Sequence, residues 1–225
     1  MKLFRTVKNM ITPAAPKKPE SAITFSDALT VTPNIIDATQ SQGYLTGQML
    51  VATPVIDAGA FQKSVIYIFA HSEEGAMGLI INQPLELLNY STLIEGMDLP
   101  KEVLAKQISV YFGGPVERAR GFVMHSTDYV RDFTLARSGE LAVTASSAIL
   151  ADLATGQGPK NAALIVGYAG WSAGQLEAEI EANSWITVPA TAELMFGTDN
   201  ELKWGTASKS LGIDVAFYST SVGHA

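Results

Sequence analysis

The sequence predicts an α+β domain. Three observations carry that expectation. Short runs rich in Val, Ile and aromatic residues recur from residue 48 onward, separated by turns of small residues. Helical patterns enter late and irregularly, so the regular alternation of a doubly wound sheet or an eight-unit barrel is missing. The chain has 225 residues, enough for one domain or at most two.

Residues 1–11 show an amphipathic pattern, with Leu3, Phe4, Val7, Met10 and Ile11 on one face and Lys2, Arg5, Lys8 and Asn9 on the other. Pro13 stops it, and three prolines within 12–20 give an extended linker. The first 42 residues therefore read as a basic amphipathic segment and linker, ahead of a single domain over 43–225. A frayed terminus, a transit-peptide-like segment and weak contact of residues 1–11 with an anionic membrane surface all fit this pattern. No apolar core of a secretion signal is present.

Residues 48–53, 64–70 and 76–82 read as neighbouring strands, punctuated by Pro54, Gly59 and the stretch from Ser72 to Gly75. Residues 85–97 and 102–106 read as helical or irregular, and strands return at 109–112, 121–126 and 140–144. A helix then follows Ser146 or Ser147 as N-cap, turns Ile149, Leu150 and Leu153 inward, and ends at Gly156 where a left-handed residue is wanted. The nearly continuous apolar run 162–168 predicts a strand covered on both faces. Ser172 and Gln175 form a capping-box pair for a second helix, with Leu176 and Ile180 inward and Glu177, Glu179 and Glu181 solvated. Residues 185–188 suggest another strand, and residues 200–211 a last helix with Leu202 and Leu211 inward.

Composition excludes several functions. Hydrophobic residues make up 47% of the chain, yet no run of about 18 apolar residues is available to cross a bilayer as a helix. Only 16% are charged, below the usual ~25%, which leaves a surface of small and neutral polar residues. Lys2, Arg5, Lys8, Lys17 and Lys18 stand against Glu20 alone in the first 20 residues, a net of +4; the whole chain is −7, so the remainder carries −11. A body of that sign repels phosphate backbones, so direct nucleic-acid binding is disfavoured. The chain has no cysteine, which removes disulfides and thiolate chemistry and permits a reducing cytoplasm, the expected location.

Gly170-Trp171-Ser172-Ala173-Gly174 fits the G-x-S-x-G nucleophile elbow between a strand and a helix. The triad partners are poor: His224 is the only later histidine and the penultimate residue, with Asp199 or Asp214 as the acid. No HGGG-type oxyanion loop precedes it, and a serine hydrolase through Ser172 is disfavoured. The same turn, cleared by Gly167, Gly170 and Gly174, suits either an anion at the helix mouth or tight packing. Residues 156–160 are Gly-rich but follow a helix and lack the ending of a phosphate loop. His71, followed by Glu73 and Glu74, and His125, followed by Ser126 and Asp128, both close strand runs. Neither has the spacing of a metal motif, so no metal or cofactor is expected. Arg118 and Arg120 on one turn could grip a carboxylate or phosphate. The candidate ligand residues are thus His71, Glu73, Arg118, Arg120, His125, Gly170 and Trp171.

Three blocks carry a resemblance. Residues 47–54, Ser64-Val65-Ile66-Tyr67, His71 and residues 74–84 form the first; Gly113-Gly114-Pro115-Val116 with residues 120–126 the second; residues 167–171 with 173–177, Glu179 and Ile180 the third. In this order they resemble the YqgE/AlgH family of bacterial proteins over roughly 43–214. The resemblance implies a compact domain with a bent, partly barrel-like mixed sheet flanked by helices. It also implies a transcriptional regulatory role in a family without an assigned activity, and the acidic body makes that role an indirect one, exerted through a protein or small ligand; the alternative is an enzyme or a small-ligand or anion-binding protein with a pocket around His71, His125 and the Gly170-Trp171 turn. Members of that family commonly carry Gly where this chain has Ser172, and often Cys near Phe69, so neither serine nor thiol chemistry is implied here.

Overall fold

The computed structural model describes residues 36–37, 43–86 and 108–210. The expected features within 1–11, 12–20 and 87–106, and at Leu211, Asp214 and His224, lie outside them. Ten strands form one curled sheet: β1 Ile36–Asp37, β2 Gln48–Ala52, β3 Val65–Ser72, β4 Gly75–Ile80, β5 Ser109–Phe112, β6 Val116–Ser126, β7 Thr134–Ser138, β8 Leu141–Thr144, β9 Ala162–Ser172 and β10 Trp185–Pro189. Their order is β1-β7-β8-β6-β9-β4-β3-β2-β10, with β5 also on β9. Most pairs are antiparallel; β1 with β7 and β5 with β9 are parallel, so the sheet is mixed. Helices α1 Ala148–Thr155, α2 Gln175–Glu181 and α3 Asn200–Lys209, with a π-helical turn at Glu193–Gly197, complete an α+β domain.

The curl has a local cause in β9. Its first half pairs β5 on one side and β6 on the other through residues 163–166; beyond Gly167 the strand turns and pairs β4 through residues 169–172. Gly167 has φ +77°, a left-handed conformation that favours glycine. Gly113 is needed for another reason: a Cβ there would stand 2.2 Å from the Gly167 carbonyl oxygen. Opposite this bend β6 carries a bulge between Val116 and Gly121, and Glu117 takes φ +41°.

Burial on both faces explains the apolar runs. Met49, Val51, Val65, Tyr67, Phe69, Phe122, Met124, Val143, Ile165 and Val188 belong to one cluster fed by every strand from β2 to β10, the inner face of the curl. Leu194 and Met195 of the π turn and Ala207 of α3 close it. The outer face divides in two. Leu50, Ile66, Ile68, Ala76, Ala169, Trp171 and Trp185 pack under Leu176 of α2, and Val123, Leu164 and Val166 pack under Ile149, Leu150 and Leu153 of α1. Each such fully buried aliphatic side chain contributes about 1.5–3 kcal/mol.

Three expectations need correction. Strand β9 runs through Ser172 instead of stopping at residue 168, since Ser172 pairs with Gly75. Helix α2 accordingly starts at Gln175 with Gly174 before it, and only half of the capping box forms: Gln175 Oε1 accepts the Ser172 N–H at 3.1 Å. In α3, Leu202 is 59% exposed while Lys203 is 1% exposed, so the inward face is rotated from the one expected. The ends of α1 are as expected, with Ser146 Oγ accepting the Ala148 N–H and Gly156 at φ +76°.

Candidate functional site

Of the residues expected to gather, His71 and Trp171 do. His71 pairs with Ala76, and Ala76 with Trp171, so one row across β3, β4 and β9 places both side chains on the outer face. Helix α2 locks onto that row. His71 Nε2 lies 2.8 Å from Glu177 Oε1, and His71 Nδ1 accepts the Leu45 N–H at 3.0 Å. An Nδ1 that accepts leaves the proton on Nε2, so this bond set describes a neutral ring donating to Glu177. Glu179 Oε2 accepts the indole N–H of Trp171 and of Trp185, each at 2.8 Å, and its Oε1 accepts from Gln175 at 3.0 Å. Every polar atom in this row is engaged within the chain. The two carboxylates read as solvated side are the clamps that hold α2 to the sheet.

His125 is elsewhere. It pairs with Ala162 at the start of β9, nine residues from Trp171, a separation of up to about 30 Å along the strand. Fully buried, it donates from Nδ1 to the Ser126 carbonyl at 3.1 Å and accepts the Thr144 hydroxyl at Nε2, 3.0 Å. Burial holds its pKa below the ordinary 6.5. Glu73 is exposed on a turn; Arg118, expected on a turn with Arg120, is instead an exposed residue of the bulged part of β6, and Gly170 is an exposed strand position facing away from Trp171. A pocket shared by His71, His125 and the Gly170-Trp171 turn is therefore not formed. The serine elbow is not formed either, because Ser172 is a strand residue whose hydroxyl donates to Gln175 at 3.1 Å. Among the described residues no group of three His, Asp or Glu side chains is placed to hold a metal ion.

Arg120 is buried, 6% exposed, beside the bulge. Its Nη1 donates to Glu117 at 3.1 Å, and its guanidinium carbon lies 5.3 Å from the Phe122 ring centroid. Glu117 also accepts the Tyr168 hydroxyl at 3.1 Å. The Nε and Nη2 groups of Arg120 have no hydrogen-bond partner.

The sequence reading missed a different place. A cleft of about 290 Å³ opens between the starts of β5 and β9 and the first turn of α3, with Ser109, Lys160, Asn161, Asp199, Asn200 and Lys203 among its walls. Lys203 Nζ donates to the Ile81 carbonyl at 3.0 Å and lies 5.0 Å from the Tyr111 ring centroid. An ammonium carries three N–H groups, and one acceptor is provided among the described residues. Burial pushes its pKa down from 10.5 to about 8. The signal in the sequence was the Lys203 to Ala207 spacing, which puts a cation on the same face as a core alanine.

Together these features define a curled-sheet α+β domain in which His71 and His125 are locked into packing and a small cleft is lined in part by a buried lysine. The chain belongs to the AlgH-like family, whose profile matches residues 49–216. A UPF0301 protein of Ruegeria pomeroyi is 47% identical over 183 residues, covering 80% of this chain and 99% of the relative. The solution structure of the AlgH protein from Pseudomonas aeruginosa is similar at 37% identity and TM-score 0.66, covering 83% of this chain and 98% of that one. A crystal structure of a Corynebacterium diphtheriae protein shares the fold at 22% identity and TM-score 0.63, covering 80% of this chain and 94% of that one. The names of these relatives assign no reaction or ligand. Among the described residues no helix is long and apolar enough to cross a membrane.

Proposed function

We propose that the chain is an indirect regulator, a cytoplasmic protein that acts through a small ligand or a partner protein and does not itself hold nucleic acid. The observation that carries this reading is the −11 balance of residues 21–225, against which only a +4 arm is set. Two cations of the body are also drawn into the fold: Lys203 is buried, and the buried Arg120 is paired with Glu117. Cations placed this way make a poor footprint for a phosphate backbone. The test is retention on DNA-cellulose at about 50 and about 200 mM salt, with the whole chain and with a chain lacking residues 1–20. The expected result is that any retention disappears with the arm; salt-sensitive retention by the shortened chain contradicts the reading.

A further inference from the structure

We propose that the cleft at the start of α3 is a binding site for a small carboxylate, whose oxygens take the Lys203 N–H groups that the described residues leave without acceptors. Three observations carry this. The first is the cleft, about 290 Å³, at the small end of the ~300–1,000 Å³ range of ligand pockets. The second is Lys203, one of the residues that line it. Lys203 is 1% exposed, and a buried cation is ordinarily paired with an anion; here it has a carbonyl and a ring face. The third is the lining. Asn161, Asn200 and Ser109 supply neutral donors for a second oxygen, and Ile108, Ala162 and Phe196 supply an apolar wall for a short carbon chain.

The charges set the class of ligand. Lys203 and Lys160 stand against Asp199 in the walls, Asp128 lies beside Lys160, and among the described residues Tyr111 is the remaining ionisable group facing Lys203. With two cations set against two carboxylates the surroundings suit a monoanion better than a phosphate dianion, and the apolar wall gives a carbon chain a place that inorganic phosphate cannot use. The buried amine, with its pKa near 8, holds its proton at neutral pH, and a bound carboxylate would hold it more firmly. Affinity accordingly falls as pH rises from about 7 to about 9, when Lys203 loses its charge. The inference is independent of the regulatory reading: DNA retention would remove that reading and leave the occupant of the cleft unaffected.

The test is a titration of the full-length, ¹⁵N-labelled chain with sodium butyrate at constant ionic strength, with butyramide as the neutral isostere and inorganic phosphate as the competing anion. Saturable shifts are expected at the amides of Ser109, Asn161 and Asn200. Binding is expected to weaken about tenfold or more for butyramide and in Lys203→Met, the loss of a charge-assisted contact. Ser109→Phe, at an exposed position in the cleft wall, tests the site without touching Lys203 and is expected to abolish the shifts. Shifts that do not saturate, that are equal for butyramide, or that survive both substitutions overturn the site. Tighter binding of phosphate than of butyrate overturns the carboxylate assignment.

Discussion

Single side chains in this protein divide into those that finish a hydrogen-bond account and those that leave one open. Glu179 finishes three: two indole N–H groups and one amide converge on its carboxylate. Glu179→Ala strands both indoles, so it is expected to destabilise by about 2–4 kcal/mol, since a stranded donor costs about 1–3 kcal/mol. Glu179→Gln, which keeps an acceptor oxygen, is expected to lose less than half of that; urea denaturation monitored by tryptophan fluorescence reads both. An equal loss for the two variants would mean that the carboxylate charge, and not the acceptor, holds α2. His71 and His125 belong with Glu179, because each has both ring nitrogens engaged. Lys203 and Arg120 belong to the other group.

At the scale of elements, the bend of β9 decides how the two halves of the sheet meet. Gly113→Ala would force a methyl into the Gly167 carbonyl, a backbone contact that cannot swing aside, and is expected to cost about 2–4 kcal/mol or prevent folding. Gly156→Ala, at a left-handed position with nothing within 4 Å, is expected to cost about 1 kcal/mol. Thermal melts of the two variants rank them, and similar small losses would show that the sheet can open at this crossing. These elements also show what sequence patterns can report. The strands from β2 to β5 and the second half of β6 were legible because burial on both faces writes them as apolar runs, whereas residues 116–120, bulged and partly exposed, read as a turn. β7, Thr-Leu-Ala-Arg-Ser, was not, because its pairing with β8 and not its composition makes it a strand. The continuation of β9 was hidden by Gly170 and Gly174, which read as a turn although Gly170 sits in a ladder opposite Met77.

For the whole molecule, the acidity legible in the sequence and the three family blocks narrow what the protein can touch, but the blocks did not mark the cleft. Their histidines and tryptophan serve packing, while the cleft is built from residues far apart in the chain, Ser109, Asn161 and Lys203, which only the sheet order brings together. A lysine buried there should burden the fold, and that burden is measurable. Its folded pKa, about 8, lies below its unfolded 10.5. Between these values the unfolded chain holds a proton that the folded chain does not, so stability rises with pH from about 8. Above about 10 the buried Tyr67 and Tyr129 reverse the slope, since burial keeps them protonated in the fold while the unfolded chain ionises them. The most direct measurement is the unfolding free energy of the wild type and Lys203→Met from about pH 6 to about pH 10. If Lys203 is held for a ligand and not for the fold, the variant is the more stable below pH 8 and the difference closes as pH approaches 10. A variant less stable than the wild type across the whole range would contradict the account, because Lys203 would then be a structural residue and the cleft an accident of packing.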